Sequence, residues 1–323
     1  MNMIVGAYSA SPCHSEWNPE LEKAYFDGLK KIPGIRGLEL PFFGDLHRYD
    51  SEWLLNHLVP SWDYVFTCIP GTMENVKASP HFGLASDSER GRADALLFAE
   101  KARQAILRMH QKLGRKAVRA IEIHSAPTRG RSGVNSSWQS LSRSLAEMCS
   151  WDWDGATLML EHCDRFIEGQ EPAKGYLSIE DEIRAVVKES CSEKTPLQIL
   201  INWGRSVIEA RDPKAVLDHL SKARDAGVLG GLIFSGCTPE HPLYGAFADS
   251  HAPFAGNGPD LEPASWMTQE RVKEALRVSA AHTLPIVGFK IQALPRDLTV
   301  ADRLRKIENW VQLLKTLQFG EQV

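Results

Sequence analysis

The sequence predicts an α/β chain forming a single (β/α)8 TIM barrel over residues 1–323, and three observations carry that prediction. Short apolar runs alternate with amphipathic stretches eight times along the chain. Each apolar run is bounded by Gly, Pro, Asn or Asp, as buried parallel strands are. No linker-like break or internal repeat interrupts the series. An open doubly wound sheet is the alternative. It usually carries a glycine fingerprint after its first strand, and Tyr8-Ser9-Ala10-Ser11 is not one.

In order, the expected strands are Met3–Ser9, Ile35–Phe42, Asp63–Ile69, Ala117–His124, Ala156–Asp164, Leu197–Trp203, Gly231–Ser235 and Ile286–Gln292. The helices between them have start and stop signals. Asn18-Pro19 places a cap and a first-turn proline before a helix reaching about Lys31. A helix near Ser51 to Leu58 is stopped by Pro60. Pro70-Gly71 ends the third strand, and a long loop, Thr72 to Ala85, is expected before a helix opened by Ser86 and Glu89 at capping-box spacing. That helix keeps Ala95, Leu96, Ala99, Ala102, Ile106 and Met109 on one face and ends at Gly114. A Gly/Arg/Ser loop, Thr128 to Ser136, leads to a helix ending near Trp151. Ser178 with Asp181 starts a helix to about Cys191, Asp212-Pro213 one to Gly227, Thr268 with Arg271 one to His282, and Thr299 the last. The segment Cys237 to Ser265 has no helical period and is long enough to cover the barrel mouth or meet a neighbouring subunit.

Composition excludes several function classes. A net charge of -4 offers no field for nucleic acid or anionic lipid. No apolar run reaches the ~20 residues that span a bilayer, and no basic segment with a long apolar stretch opens the chain. The six cysteines form no CxxC pair, which argues against a zinc ribbon or dithiol motif and for reduced core thiols in a cytoplasmic protein.

The site is expected at the carboxyl ends of the strands. The run Ala156–Asp164 stops abruptly in Glu161, His162, Cys163 and Asp164. Period-two alternation sorts the polar residues at these ends. Leu38 and Leu40 face the helices, so Glu39 faces the axis; Glu122 and His124 oppose Ile121 and Ile123; Asn202 shares a face with Leu200; Lys290 and Gln292 oppose Val287, Phe289 and Ile291. His162 points away from Glu161, toward the helices. Glu122, deeper than His124, reads as a structural ion-pair partner. Glu161, Lys290 and His124 are therefore the candidate catalytic residues, and Glu39, Asn202, Arg205 and Gln292 the candidate substrate-binding ones. Glu240, His241, Asp249 and His251 match no metal motif and read as a solvated loop.

GLELPF at Gly37–Phe42, IEIHSAP at Ile121–Pro127, LMLEHCD at Leu158–Asp164 and INWGRS at Ile201–Ser206 together resemble the xylose isomerase-like barrel superfamily. The resemblance spans nearly the whole chain and is nearest to a little-characterised bacterial branch. It implies a sugar isomerase or epimerase and a divalent metal held by acids and histidines on strands five to eight. Glu161 matches the first ligand position, but Asn202, Ser235 and Lys290 stand where others would be. Hard cations need several anionic or imidazole ligands, so no cofactor and no metal are expected at these strand ends.

Three readings follow. The first is proton transfer alpha to a carbonyl of a sugar, with Glu161 as base and Lys290 and His124 stabilising the enediolate oxygen. The second is a Schiff-base aldolase or lyase using Lys290. The third is a non-catalytic sugar-binding barrel. All take a small-molecule carbohydrate and leave monomer and homo-oligomer both open.

Overall fold

A computed structural model describes residues 3–13, 16–190 and 195–319. Among them, eight parallel strands close into one barrel in sequence order. They are β1 (Met3–Val5), β2 (Ile35–Pro41), β3 (Asp63–Thr67), β4 (Val118–Ile123), β5 (Thr157–Glu161), β6 (Leu197–Asn202), β7 (Leu229–Phe234) and β8 (Ile286–Phe289). Pairing of β1 with β8, Met3 beside Val287 and Val5 beside Phe289, closes the ring. The surrounding helices are α1 (Pro19–Leu29), α2 (Ser51–His57), α3 (Ile69–Ala78), α4 (Glu89–Leu113), α5 (Trp138–Cys149), α6 (Ile179–Glu189), α7 (Trp203–Ala210), α8 (Lys214–Asp225), α9 (Gln269–Val278) and α10 (Val300–Phe319).

Capping chemistry sets many of these boundaries. Asn18 accepts from the Leu21 N–H at 3.0 Å with Pro19 in the first turn of α1, Ser178 caps α6 through the Asp181 N–H, and Thr268 caps α9 through the Arg271 N–H. Gly114 closes α4 at φ +66°, where a side chain would be strained.

Four expectations are corrected. Strand one ends at Val5, and Ala7–Ala10 tightens into a 3-10 turn. Pro70 does not merely end β3; it sits in the first turn of α3, where its missing N–H costs nothing, so the expected long loop is half helix. The cap of α4 is Ser88, bonded to the Gly91 N–H, while Ser86 instead accepts from Ser88. Trp203 leaves the sheet and begins α7, because Asn202 turns its side chain onto the Arg205 N–H as a cap. The expected end of α6 at Cys191 lies outside the described residues.

The barrel interior is built in layers. Ile4, Val65, Ala120, Met159, Leu200, Ile233 and Ile286 fill one apolar layer, while the outward faces pack against the helices in the main core. Two residues further along the strands, the same inward faces carry Thr67, Glu122, Glu161, Asn202 and Ser235. The strands thus pass from packed hydrocarbon to polar chemistry within one pleat. The described cysteines, Cys13, Cys68, Cys149, Cys163 and Cys237, are buried and free. No helix of the described residues is long and apolar enough to cross a membrane.

Candidate active site at the barrel mouth

Lys290 is the hub of the polar layer. Its ammonium lies 2.6 Å from Glu39 Oε1, 3.2 Å from Glu161 Oε1 and 3.7 Å from Glu122 Oε2, and all four side chains are fully buried. Gly6 makes room for it: a Cβ there would lie 2.5 Å from Lys290 Cβ. Burial would lower the Lys290 pKa, but Glu161 and Glu39 outweigh it and hold the ammonium well above its usual range.

Glu161 is the most heavily engaged acid. Its Oε2 faces Arg205 at 2.6 Å and accepts from His124 Nε2 at 2.9 Å; its Oε1 accepts from Asn202 Nδ2 at 3.0 Å and from Lys290. Burial alone would raise its pKa, yet Arg205, Lys290 and His124 hold it well below the usual carboxylate range. His124 is driven the other way: burial lowers it to about 4 despite Glu161, so at neutral pH it is a neutral imidazole. Asn202 spends its Oδ1 on the Ser235 hydroxyl at 2.9 Å and its Nδ2 on Glu161. Arg205 is completed by Asp249, whose Oδ2 lies 3.2 Å from Nε and 3.0 Å from Lys174 Nζ.

Glu39 and Glu122 differ from Glu161. Burial raises both, and for Glu122 the neighbouring Glu39 and Glu161 push further, well above the usual range. Neither oxygen of Glu122 has a hydrogen-bond partner among the described residues, nor does Glu39 Oε2. Tyr8 lies against Glu39 Oε1 at 3.4 Å as a donor, and burial keeps its hydroxyl protonated.

A cleft of about 420 Å³ opens beside the cluster, within the range of small-molecule sites. Glu39 and Tyr8 form its inner end, and Glu22, Trp17, Phe43, Tyr49 and Glu74 are among its walls. Trp17 and Tyr49 stack with centroids 5.6 Å apart and planes 4° from parallel.

The structure therefore brings Glu161, Lys290, His124, Glu39, Asn202 and Arg205 into one connected cluster. Gln292 is different: β8 ends at Phe289, and the Gln292 N–H is tied to the His251 carbonyl at 2.8 Å. Expectation placed His162 outward, and it is buried among helices. The segment after β7 does cover the mouth, through Asp249 on Arg205 and through Gly236 pairing with Ala252. Asp249 is thus no solvated loop acid: its side chain is only 9% exposed. Tyr8, Lys174 and Asp249 carried no motif signal, since each joins the site through loop packing.

A family model described as "Domain of unknown function (DUF4862)" matches residues 4–306. The chain belongs to the DUF4862 family. "Uncharacterized protein STM3670" of Salmonella typhimurium (strain LT2) is 34% identical over 312 residues, covering 97% of this chain and 96% of that protein. Among solved structures, D-psicose 3-epimerase in the presence of D-fructose superposes with a TM-score of 0.60 at 14% identity, covering 98% of this chain and 99% of that one. A xylose isomerase domain protein from Alicyclobacillus acidocaldarius gives 0.52 at 14% identity, covering 98% and 99%. At these identities the likeness shows the shared barrel fold.

Proposed function

We propose that this protein is a sugar isomerase or epimerase that moves a proton alpha to a carbonyl at the inner end of the cleft, with Glu39 as base. The observation that carries the reading is the state of Glu39. Its Oε2 is unpartnered among the described residues, it lines the cleft, and its raised pKa gives it basicity that Glu161 lacks. The base role expected for Glu161 is moved for this reason: four donors hold its two oxygens. Glu39 Oε2 takes the proton and the electron pair moves onto the carbonyl oxygen. The Tyr8 hydroxyl, which donates to Glu39 Oε1 at 3.4 Å in the free protein, turns its one hydrogen to that oxygen when substrate binds, and the fixed charge of Lys290 supports the developing enediolate. Passage of the adjacent hydroxyl's proton to the former carbonyl oxygen, with return of the carbon-bound proton to the neighbouring carbon, completes an isomerisation.

A neutral sugar suits the walls. Carboxylates of Glu22, Glu39 and Glu74 accept from hydroxyl groups, while Arg48 is spent on Glu74 at 2.6 Å, leaving little to hold a phosphate. Kinship in fold with D-psicose 3-epimerase supports the same class of substrate.

A divalent metal at these strand ends does not fit the donors present. Glu161 already faces an ammonium and a guanidinium, and Asn202 has both side-chain atoms committed. In this reading Lys290 supplies the cationic charge itself. The Schiff-base alternative requires a neutral amine, and Glu39 and Glu161 hold Lys290 as the ammonium.

The test is exchange of substrate C–H for deuterium in heavy water with a panel of neutral ketoses and aldoses. Exchange lost in Glu39→Gln, and not raised by Mg²⁺ or Mn²⁺ in metal-stripped protein, is the expected result. Binding without exchange would instead establish a non-catalytic sugar-binding barrel, and a borohydride-trapped adduct on Lys290 a Schiff-base enzyme.

A further inference from the structure

Behind the barrel wall, one residue from Glu161, lies a second buried polar cluster. His162 follows β5, Glu182 is on α6, Glu209 on α7 and His219 on α8, and none is more than 5% exposed. His162 Nε2, His219 Nε2 and Glu209 are drawn together, with one ligand atom from each within 4.8 Å of the others. Glu209 offers one oxygen to each ring: Oε2 lies 3.3 Å from His162 Nε2, and Oε1 lies 3.6 Å from His219 Nε2.

We propose that His162, His219 and Glu209 form a structural binding site for a zinc-class divalent cation, pinning β5, α7 and α8 together behind the active site. Three independent features point to a ligand. First, the buried His162 Nε2 makes no well-formed hydrogen bond among the described residues; it faces Glu209 Oε2 at 3.3 Å and is thereby aimed into the cluster. Second, the far nitrogen of each ring is already anchored. His162 Nδ1 donates to Glu182 Oε2 at 2.7 Å, and His219 Nδ1 lies 3.0 Å from the Ser206 hydroxyl. Such outer partners fix the tautomer and turn Nε2 toward a metal. Glu182 is held in turn by the Ser125 hydroxyl. Third, the spacing fits. Zinc with ligands at about 2.0–2.1 Å separates neighbouring tetrahedral ligand atoms by about 3.3 Å. The two imidazole planes are nearly perpendicular, at 88°, so the rings meet without stacking. Burial opposes the charge on His162, but Glu182 and Glu209 outweigh it and hold the ring up to about 10, so zinc binding displaces a proton from that ring.

Imidazole and carboxylate donors favour zinc over magnesium or calcium. The protein must release Arg165, whose Nε lies 3.2 Å from Glu209 Oε1; that side chain is 48% exposed and can turn to solvent. The site shares no ligand with the mouth, so its test is separate from that of the proposed reaction.

The experiment uses tag-free full-length protein stripped with chelator, then titrated with ZnCl₂ by calorimetry and with CoCl₂ by visible spectroscopy. We expect one zinc per chain, a rise in Tm on zinc addition, and the intense visible bands of four-coordinate Co²⁺. His219→Gln should abolish stoichiometric binding, and the milder Ser206→Ala should weaken it by roughly 10–100-fold. No zinc bound by the wild type, or affinity unchanged in both variants, overturns the proposal.

Discussion

Glu161 and His162 are neighbours in sequence and sit on opposite sides of the barrel wall. Each enters a buried polar cluster, and the two clusters solve the burial problem differently. Inside, acids meet permanent cations: Lys290 and Arg205 are fixed charges, and the surplus acid, Glu122, has its pKa driven far up. Outside, acids meet imidazoles that can give up a proton. Ammonium and guanidinium groups surround Glu161 in the inner cluster, whereas in the outer cluster burial opposes the charge on His162 but Glu182 and Glu209 outweigh it, holding the ring up to about 10. The inner cluster also borders a cleft through Glu39 and Tyr8. A single pleat has therefore placed the two buried clusters on opposite sides of the barrel wall.

The largest effect should come from removing the inner cation. Lys290→Met leaves Glu39 and Glu161 buried without it, so we expect turnover to fall to background and stability to drop by about 3–5 kcal/mol at pH 7. Part of that stability should return as the pH is lowered toward the raised pKa of Glu39, where the buried acid takes up a proton; denaturant melts at neutral and at acid pH would show it. An unchanged midpoint at both would mean the charges are not coupled.

Next, Glu39→Gln and Glu161→Gln should separate base from scaffold. The first should lower C–H exchange by roughly 10²–10⁴-fold with little change in Tm. The second should chiefly destabilise, since it strips charge from the partner of Arg205, Lys290 and His124. The reverse pattern would restore Glu161 as the base. Rates of the wild type should rise with pH through the pKa of Glu39, which burial places above the ordinary 4.5.

A smaller loss is expected for the cover. Asp249→Asn removes the acid shared by Arg205 and Lys174 and should cost about 1.5–3 kcal/mol, with increased proteolysis confined to residues 237–265. Cleavage spread over the whole chain would show that this segment is part of the barrel's folding unit.

The smallest effect concerns His124. Its pKa is about 4 in the fold and about 6.5 unfolded, so the unfolded chain binds the proton first. Stability should fall as pH drops from about 6.5 toward 4, by about 1 kcal/mol over the first unit, and His124→Gln should flatten that slope.

What the sequence determined by itself was the barrel and the sidedness of its strand ends. Strand alternation is a local, period-two property, so Leu38 and Leu40 were enough to turn Glu39 inward, and Glu161 inward meant His162 outward. Asn18, Ser178 and Thr268 likewise announced their helices, because a cap bonds within three residues. Only the tertiary structure decided what each group does. Asp249 reaches Arg205 across 44 residues and Lys290 reaches Glu39 across 251, distances at which no local pattern speaks. The α7 turn at Trp203 followed from Asn202 bonding an N–H, against an apolar run that reads as strand. Our proposal of Glu39 over Glu161 as base has the same origin: the basicity of a buried carboxylate depends on which cations the fold places around it, and that number is set by packing.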